Sequence, residues 1–106
     1  MTDTPPIPQR LADGPLAPQT QRVVANFLRP DGTLHTIPSK HAKLRAVLDH
    51  LAQSFELGRT YPEREVNDLL RRFHPDHAAL RRYLVDEGFL TREESVYWRT
   101  GGTVEV

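Results

Sequence analysis

The chain has 106 residues, enough for one domain that buries a core of its own. With no cysteine it has no disulfide, thiolate chemistry or cysteine-based zinc site, and a reducing cytoplasm is its expected location. Its 14 Lys and Arg balance 14 Asp and Glu, and a formal net charge of zero argues against a mass electrostatic grip on nucleic acid unless charge is segregated by face.

The opening Met1, Thr2, Asp3, Thr4 and Pro5 lack the basic start and apolar run of a signal peptide. No later apolar run approaches the roughly 20 residues of a membrane span, so no membrane association is expected. Residues 1–21 hold Pro5, Pro6, Pro8, Pro15 and Pro18 with few large apolar side chains, a composition that cannot offset the entropy of ordering. They read as a flexible Pro-rich tail, residues 22–100 as the domain, and residues 101–106 as a second short tail.

The domain opens with Val23, Val24, Ala25, Asn26, Phe27 and Leu28, then Pro30, Asp31 and Gly32 as a turn, then Leu34 and Ile37 in alternation with polar residues. That pattern predicts an N-terminal β-hairpin. Ser39 is placed to cap a helix whose apolar positions, Leu44, Val47, Leu48, Leu51, Ala52 and Phe55, recur three and four apart. Gly58 ends it, and Arg59 and Thr60 suggest a brief strand. A second helix follows, with Thr60 and Glu63 at capping-box spacing, Pro62 in the first turn, and Val66, Leu69, Leu70 and Phe73 on one stripe.

Pro75 pushes His74 out of helical geometry and ends that helix, and Asp76 can cap a third one running to about Glu87. Its expected core face is Leu80, Tyr83 and Leu84. Gly88 closes it. Two short apolar runs, one ending in Phe89 and Leu90 and one formed by Val96, Tyr97 and Trp98, flank the polar stretch Thr91, Arg92, Glu93, Glu94 and Ser95. They read as a hairpin. The expectation is thus α+β: a winged-helix-like three-helix domain with an N-terminal β-hairpin and a C-terminal wing hairpin.

In such a fold the third helix faces a DNA groove, which makes Arg81 and Arg82 the donors for base edges or phosphates. His77 would lie near the backbone, and Arg92 in the wing would reach an adjacent phosphate. Arg71 and Arg72, at the end of the second helix, are further phosphate candidates, although their favourable interaction with the helix dipole already explains them. The bland reading of Arg81 and Arg82 is surface ion pairing with Asp76, Asp86 and Glu87. His74 and His77 across a Pro turn match no zinc pattern, and His74 reads as part of the helix junction, so no metal and no cofactor is expected. Tyr97 and Trp98 read as core before stacking platform. No nucleophile sits beside a base, and Glu63 and Glu65 diverge on a helix, so the chain is not expected to be an enzyme. Asn67, in the polar stretch Glu65, Val66, Asn67, reads as holding the turn or a partner by hydrogen bonds.

Taken together, Tyr61, Glu63, Glu65, Val66, Asn67, His74, Asp76, Leu80, Arg81, Arg82, Leu84, Val85, Asp86, Gly88, Tyr97, Trp98 and Arg99, with the upstream stretch from Leu34 to Lys40, resemble the bacterial domain-of-unknown-function family DUF2087. The resemblance runs from about residue 27 to residue 99. Members of that family stand alone or form the C-terminal part of regulators with a separate helix-turn-helix domain of the arsenic-repressor type, which implies a link to transcription. The chain departs from the family at Pro62, where Ser or Thr is common. The leading expectation is therefore a transcription-related protein that binds duplex DNA as a homodimer through its third helix and wing. The alternative is a protein-interaction or sensory module on the same scaffold, with a protein partner and no direct DNA binding.

Overall fold

In the computed structural model, residues 18–104 are described. Along the chain they form α1 (Pro18–Ala25), α2 (His41–Ala52), β1 (Thr60–Pro62), α3 (Glu63–Arg71), α4 (His77–Asp86), β2 (Leu90–Glu93) and β3 (Val96–Arg99). The architecture is α+β, with four helices around a small antiparallel sheet of order β1-β3-β2.

The strongest apolar spacing in the sequence makes the centre of the core. Leu44, Val47, Leu48, Leu51 and Ala52 are the buried face of α2, and Phe55, in the turn beyond it, is buried with them. Val66 and Leu70 of α3 and Leu80 and Leu84 of α4 close over that face, with Leu69 and Phe73 packed at its margin. Spacings of three and four bring these side chains to one side of each helix, and removing them from water is the main stabilising term. Tyr61 joins the core from β1, its ring edge-on to Phe55 at 5.1 Å and its hydroxyl accepting the Glu56 N–H at 2.7 Å. Tyr97 is buried from β3.

The expected N-terminal hairpin is replaced by α1 and a turn. Residues 18–25 are helical, and a single antiparallel bridge, Leu28 to Leu34, joins the flanks of the turn. Gln21, Val24, Ala25 and Leu28 recur at helical spacing and, with His50 of α2, enclose a small cavity of about 210 Å³. Burying Val24 against α2 requires that helical face, and this outweighs the strand preference of two adjacent valines. The turn itself is closed locally: Asp31 accepts both the backbone N–H and the hydroxyl of Thr33, at 3.0 and 2.7 Å. The flanking bonds, from the Arg29 N–H to the Thr33 carbonyl and from the His35 N–H to the Phe27 carbonyl, leave the Leu34 N–H pointing away from Leu28, and it is donated to the Phe73 carbonyl, 2.7 Å away at the end of α3. The last four residues of the expected tail thus open α1, and residues 1–17 of it lie outside the described residues.

Two expected caps are also different. Lys40, not Ser39, precedes α2, and its side chain makes no capping bond. Thr60 is a strand residue paired with Trp98, so it cannot close a capping box with Glu63. The Glu63 N–H is donated to the Ser95 carbonyl at 2.8 Å, and its carboxylate turns to Tyr97 instead. Sheet pairing has taken over the start of α3. Asp76 does cap α4, its Oδ1 accepting the Ala79 N–H at 3.2 Å, while the Asp76 N–H is donated to His74 Nδ1 at 3.0 Å. His74 is therefore part of the helix junction. Replacing Asp76 by Ala is expected to lower unfolding free energy by about 1 kcal/mol, read as a lower urea midpoint at unchanged slope.

On α4 the buried stripe is narrower than expected. Leu80 and Leu84 are fully buried, whereas Tyr83, one position off that line, is 37% exposed. The hairpin is longer than its apolar runs suggested: Leu90, Thr91, Arg92 and Glu93 pair with Arg99, Trp98, Tyr97 and Val96. The polar stretch is thus mostly strand, and only Glu94, at φ 55°, and Ser95 form the turn.

After β3 the chain folds back over the end of α2. Arg99 is 9% exposed and donates to the carbonyls of Gly101, Phe55 and Thr103 at 3.0, 3.3 and 2.7 Å. Asp49 accepts the Thr103 N–H and hydroxyl at 2.8 and 2.6 Å. Gly101 lies so close to the Gly88 carbonyl that a Cβ there has no room.

Candidate functional site

A groove of about 490 Å³ runs between α4 and the β2–β3 hairpin. Ala78, Ala79, Arg81, Arg82, Val85 and Asp86 face it from α4, and Arg92 and Tyr97 from the hairpin. The fold makes the groove by a division of labour along α4. Leu80 and Leu84 are consumed by the core, so the residues between them are turned outward, toward the hairpin that Gly88 starts and β1 anchors.

The groove brings together Arg81, Arg82 and Arg92, and the three differ in how they are held. Arg82 is 82% exposed along its side chain and lies 3.8 Å from Asp86, one turn on, a loose pair that contributes little. Arg92 donates from Nε to the Glu94 carbonyl at 2.6 Å and lies 5.8 Å from the centre of the Tyr97 ring. Arg81 is half-buried and donates from Nη1 to the side-chain oxygen of Asn67 on α3. Tyr97 donates its hydroxyl to Glu63 at 2.8 Å. Burial, first, and then the Glu63 carboxylate raise the Tyr97 pKa, against the lowering influence of Arg81 and Arg92. The phenol therefore stays protonated and keeps its bond to Glu63.

The other candidates lie apart from the groove lining. His77 is half-buried at the start of α4, with Nδ1 3.2 Å from the Pro75 carbonyl oxygen. Arg71 is paired with Asp68 at 2.8 Å, and Arg72 is exposed at the end of α3 with no ion pair among the described residues. Tyr97 is core, as expected, and Trp98 is half-buried. Among the described residues, no group of three or more His, Asp or Glu is placed to hold a metal ion. No helix among them is long and apolar enough to cross a membrane.

Sequence reasoning singled out Asn67 as a hydrogen-bonding residue but did not find Arg81 as its partner, nor the bond between Glu63 and Tyr97. Glu63 and Asn67 stand one turn apart on the same face of α3 and reach Tyr97 and Arg81, respectively. The signal available was the polarity of those helix positions, which packing alone does not require.

These elements define a small α+β domain with an arginine-lined groove built by a helix and a hairpin. The chain belongs to the bacterial family DUF2087, described as an uncharacterized protein conserved in bacteria, which matches residues 33–99. No functionally curated protein and no solved structure matches it.

Proposed function

We propose that this chain is a cytoplasmic, transcription-related DNA-binding protein of winged-helix build, with α4 entering the major groove and the β2–β3 hairpin acting as the wing. The observation that carries the reading is the convergence of Arg81, Arg82 and Arg92 on one groove between those two elements. The order helix, strand, helix, helix, hairpin supports it, since that arrangement is the one in which winged folds expose their recognition helix. Zero net charge is no obstacle to a local grip of this kind. A small module gains affinity by binding two half-sites, so a homodimer is the proposed assembly on DNA.

The test is binding of the purified chain to fluorescent duplex DNA across a salt series. Each neutralised phosphate contributes ~0.9 to the slope of log affinity against log salt. The Arg82→Ala, Arg92→Ala double variant is expected to bind more weakly, with a slope shallower by about 2. No binding by the parent at low salt would overturn the reading.

A second reading, a protein-interaction or sensory module on the same scaffold, is favoured by one observation. Asp86 lines the groove among the arginines, and Arg71 is neutralised by Asp68. Interleaved charge of this kind suits a protein surface.

A further inference from the structure

Arg81 is held unlike the arginines that meet carboxylates, and unlike Arg99, whose three guanidinium nitrogens all donate to backbone carbonyls, it faces the groove. Arg45 meets Glu87, Arg59 meets Glu65, Arg71 meets Asp68 and Arg82 meets Asp86. Arg81 meets only the neutral oxygen of Asn67, and among the described residues no carboxylate pairs with it. Glu63, one turn before Asn67 on the same face of α3, is engaged by the Tyr97 hydroxyl. An amide oxygen orients a guanidinium without neutralising it. A half-buried guanidinium has lost part of its hydration, and its full charge is left for a partner from outside.

The rest of the groove suits that partner. The Arg92 Nε is spent on the Glu94 carbonyl, which leaves its terminal nitrogens free of that bond, and Arg82 stands exposed at the rim. Ala78, Ala79 and Val85 keep the walls small and offer no hydrogen bonds of their own. Guanidinium groups from both α4 and the hairpin suit an anion with acceptor oxygens in several directions, as a phosphoryl group has, better than a planar carboxylate.

We infer that the α4–hairpin groove seats a phosphoryl group on Arg81, with Asn67 as the residue that positions the guanidinium. If the source is the DNA backbone, the inference rests on the function proposed above and specifies that Arg81 grips a phosphate and reads no base edge. The same chemistry is offered by a free phosphate-bearing small molecule.

The decisive variant is Asn67→Asp. It keeps the acceptor oxygen and the shape of the side chain, so a merely structural role survives, but it supplies the missing carboxylate and neutralises Arg81 in place. Two measurements on the full chain are compared between parent and variant. One is titration with inorganic phosphate and with pyrophosphate, followed by the NMR signals of the arginine Nε–H groups. The other is the salt slope of duplex DNA binding. The variant is expected to fold with undiminished thermal stability, to lose at least about tenfold in phosphate affinity, and to bind DNA with a slope shallower by ~0.9.

A slope that falls in the variant identifies the DNA backbone as the source. Saturable phosphate binding that the variant loses, with no change in slope or no DNA binding at all, identifies a small phosphate compound. If DNA binds with the same slope in both proteins and phosphate gives no saturable response, the inference is overturned and the DNA reading stands. The absence of both DNA and phosphate binding overturns both. Phosphate binding that the variant retains, with an unchanged DNA slope, also overturns the seat on Arg81.

Discussion

Leu80→Ala is expected to lower the unfolding free energy by about 2–5 kcal/mol, a large share of the roughly 5–15 kcal/mol that holds a domain together. Leu80 is fully buried, and with Leu84 it is the edge by which α4 is fixed to the core. Truncation removes the transfer free energy of the lost carbons and leaves a void that the neighbouring helices can only partly fill. The consequence reaches the groove, because Arg81 and Arg82 are carried by the same two turns of helix. Urea unfolding measures the effect. Leu80→Met, which conserves volume, should cost less than about 1.5 kcal/mol, and equal losses for both variants would count against a packing origin.

Arg99→Met is the second large effect, expected at about 1.5–3 kcal/mol. The replacement keeps much of the length and apolar stem of the side chain but removes every donor. The Phe55 carbonyl, whose bond from Arg99 is buried, loses its partner away from water, while the carbonyls of Gly101 and Thr103 are only partly shielded and recover some hydration. Hydrogen exchange separates this local event from global loosening. The Thr103 amide, bonded to Asp49, should exchange faster by a larger factor than the amides of α3, which carries no partner of Arg99. Uniform acceleration at both places would contradict a local clasp.

Local pattern was enough for α2, α3 and α4. Their apolar positions recur at helical spacing, Asp76 announces the start of α4, and Pro75 and Gly88 mark breaks that the structure keeps. The closing hairpin was legible too, apart from its length. What local pattern misread was decided by residues far away in the chain. Val23 and Val24 favour a strand by themselves, and become helical because Val24 is buried against α2. Thr60 and Glu63 have the spacing of a cap, and lose that role to Trp98, Ser95 and Tyr97. The groove was half legible for the same reason. Arg81, Arg82 and Arg92 stand out as cations on the expected elements, but the bond from Arg81 to Asn67 spans 14 residues and two helices, and no periodicity reports it.

The sheet has a consequence for how copies of this chain can associate. β3 is its central strand, so only β1 and β2 offer free edges. β1 is three residues long and ends in Pro62, which has no N–H to give to an incoming strand. β2 carries Arg92 and Glu93 along its four residues, and charged side chains on an edge discourage a neutral strand from docking beside it. Among the described residues, the sheet therefore offers a second copy a poor template for extension. Any homodimer is expected to rest on helical faces, which leaves the anchored hairpin of each copy uncovered for a ligand.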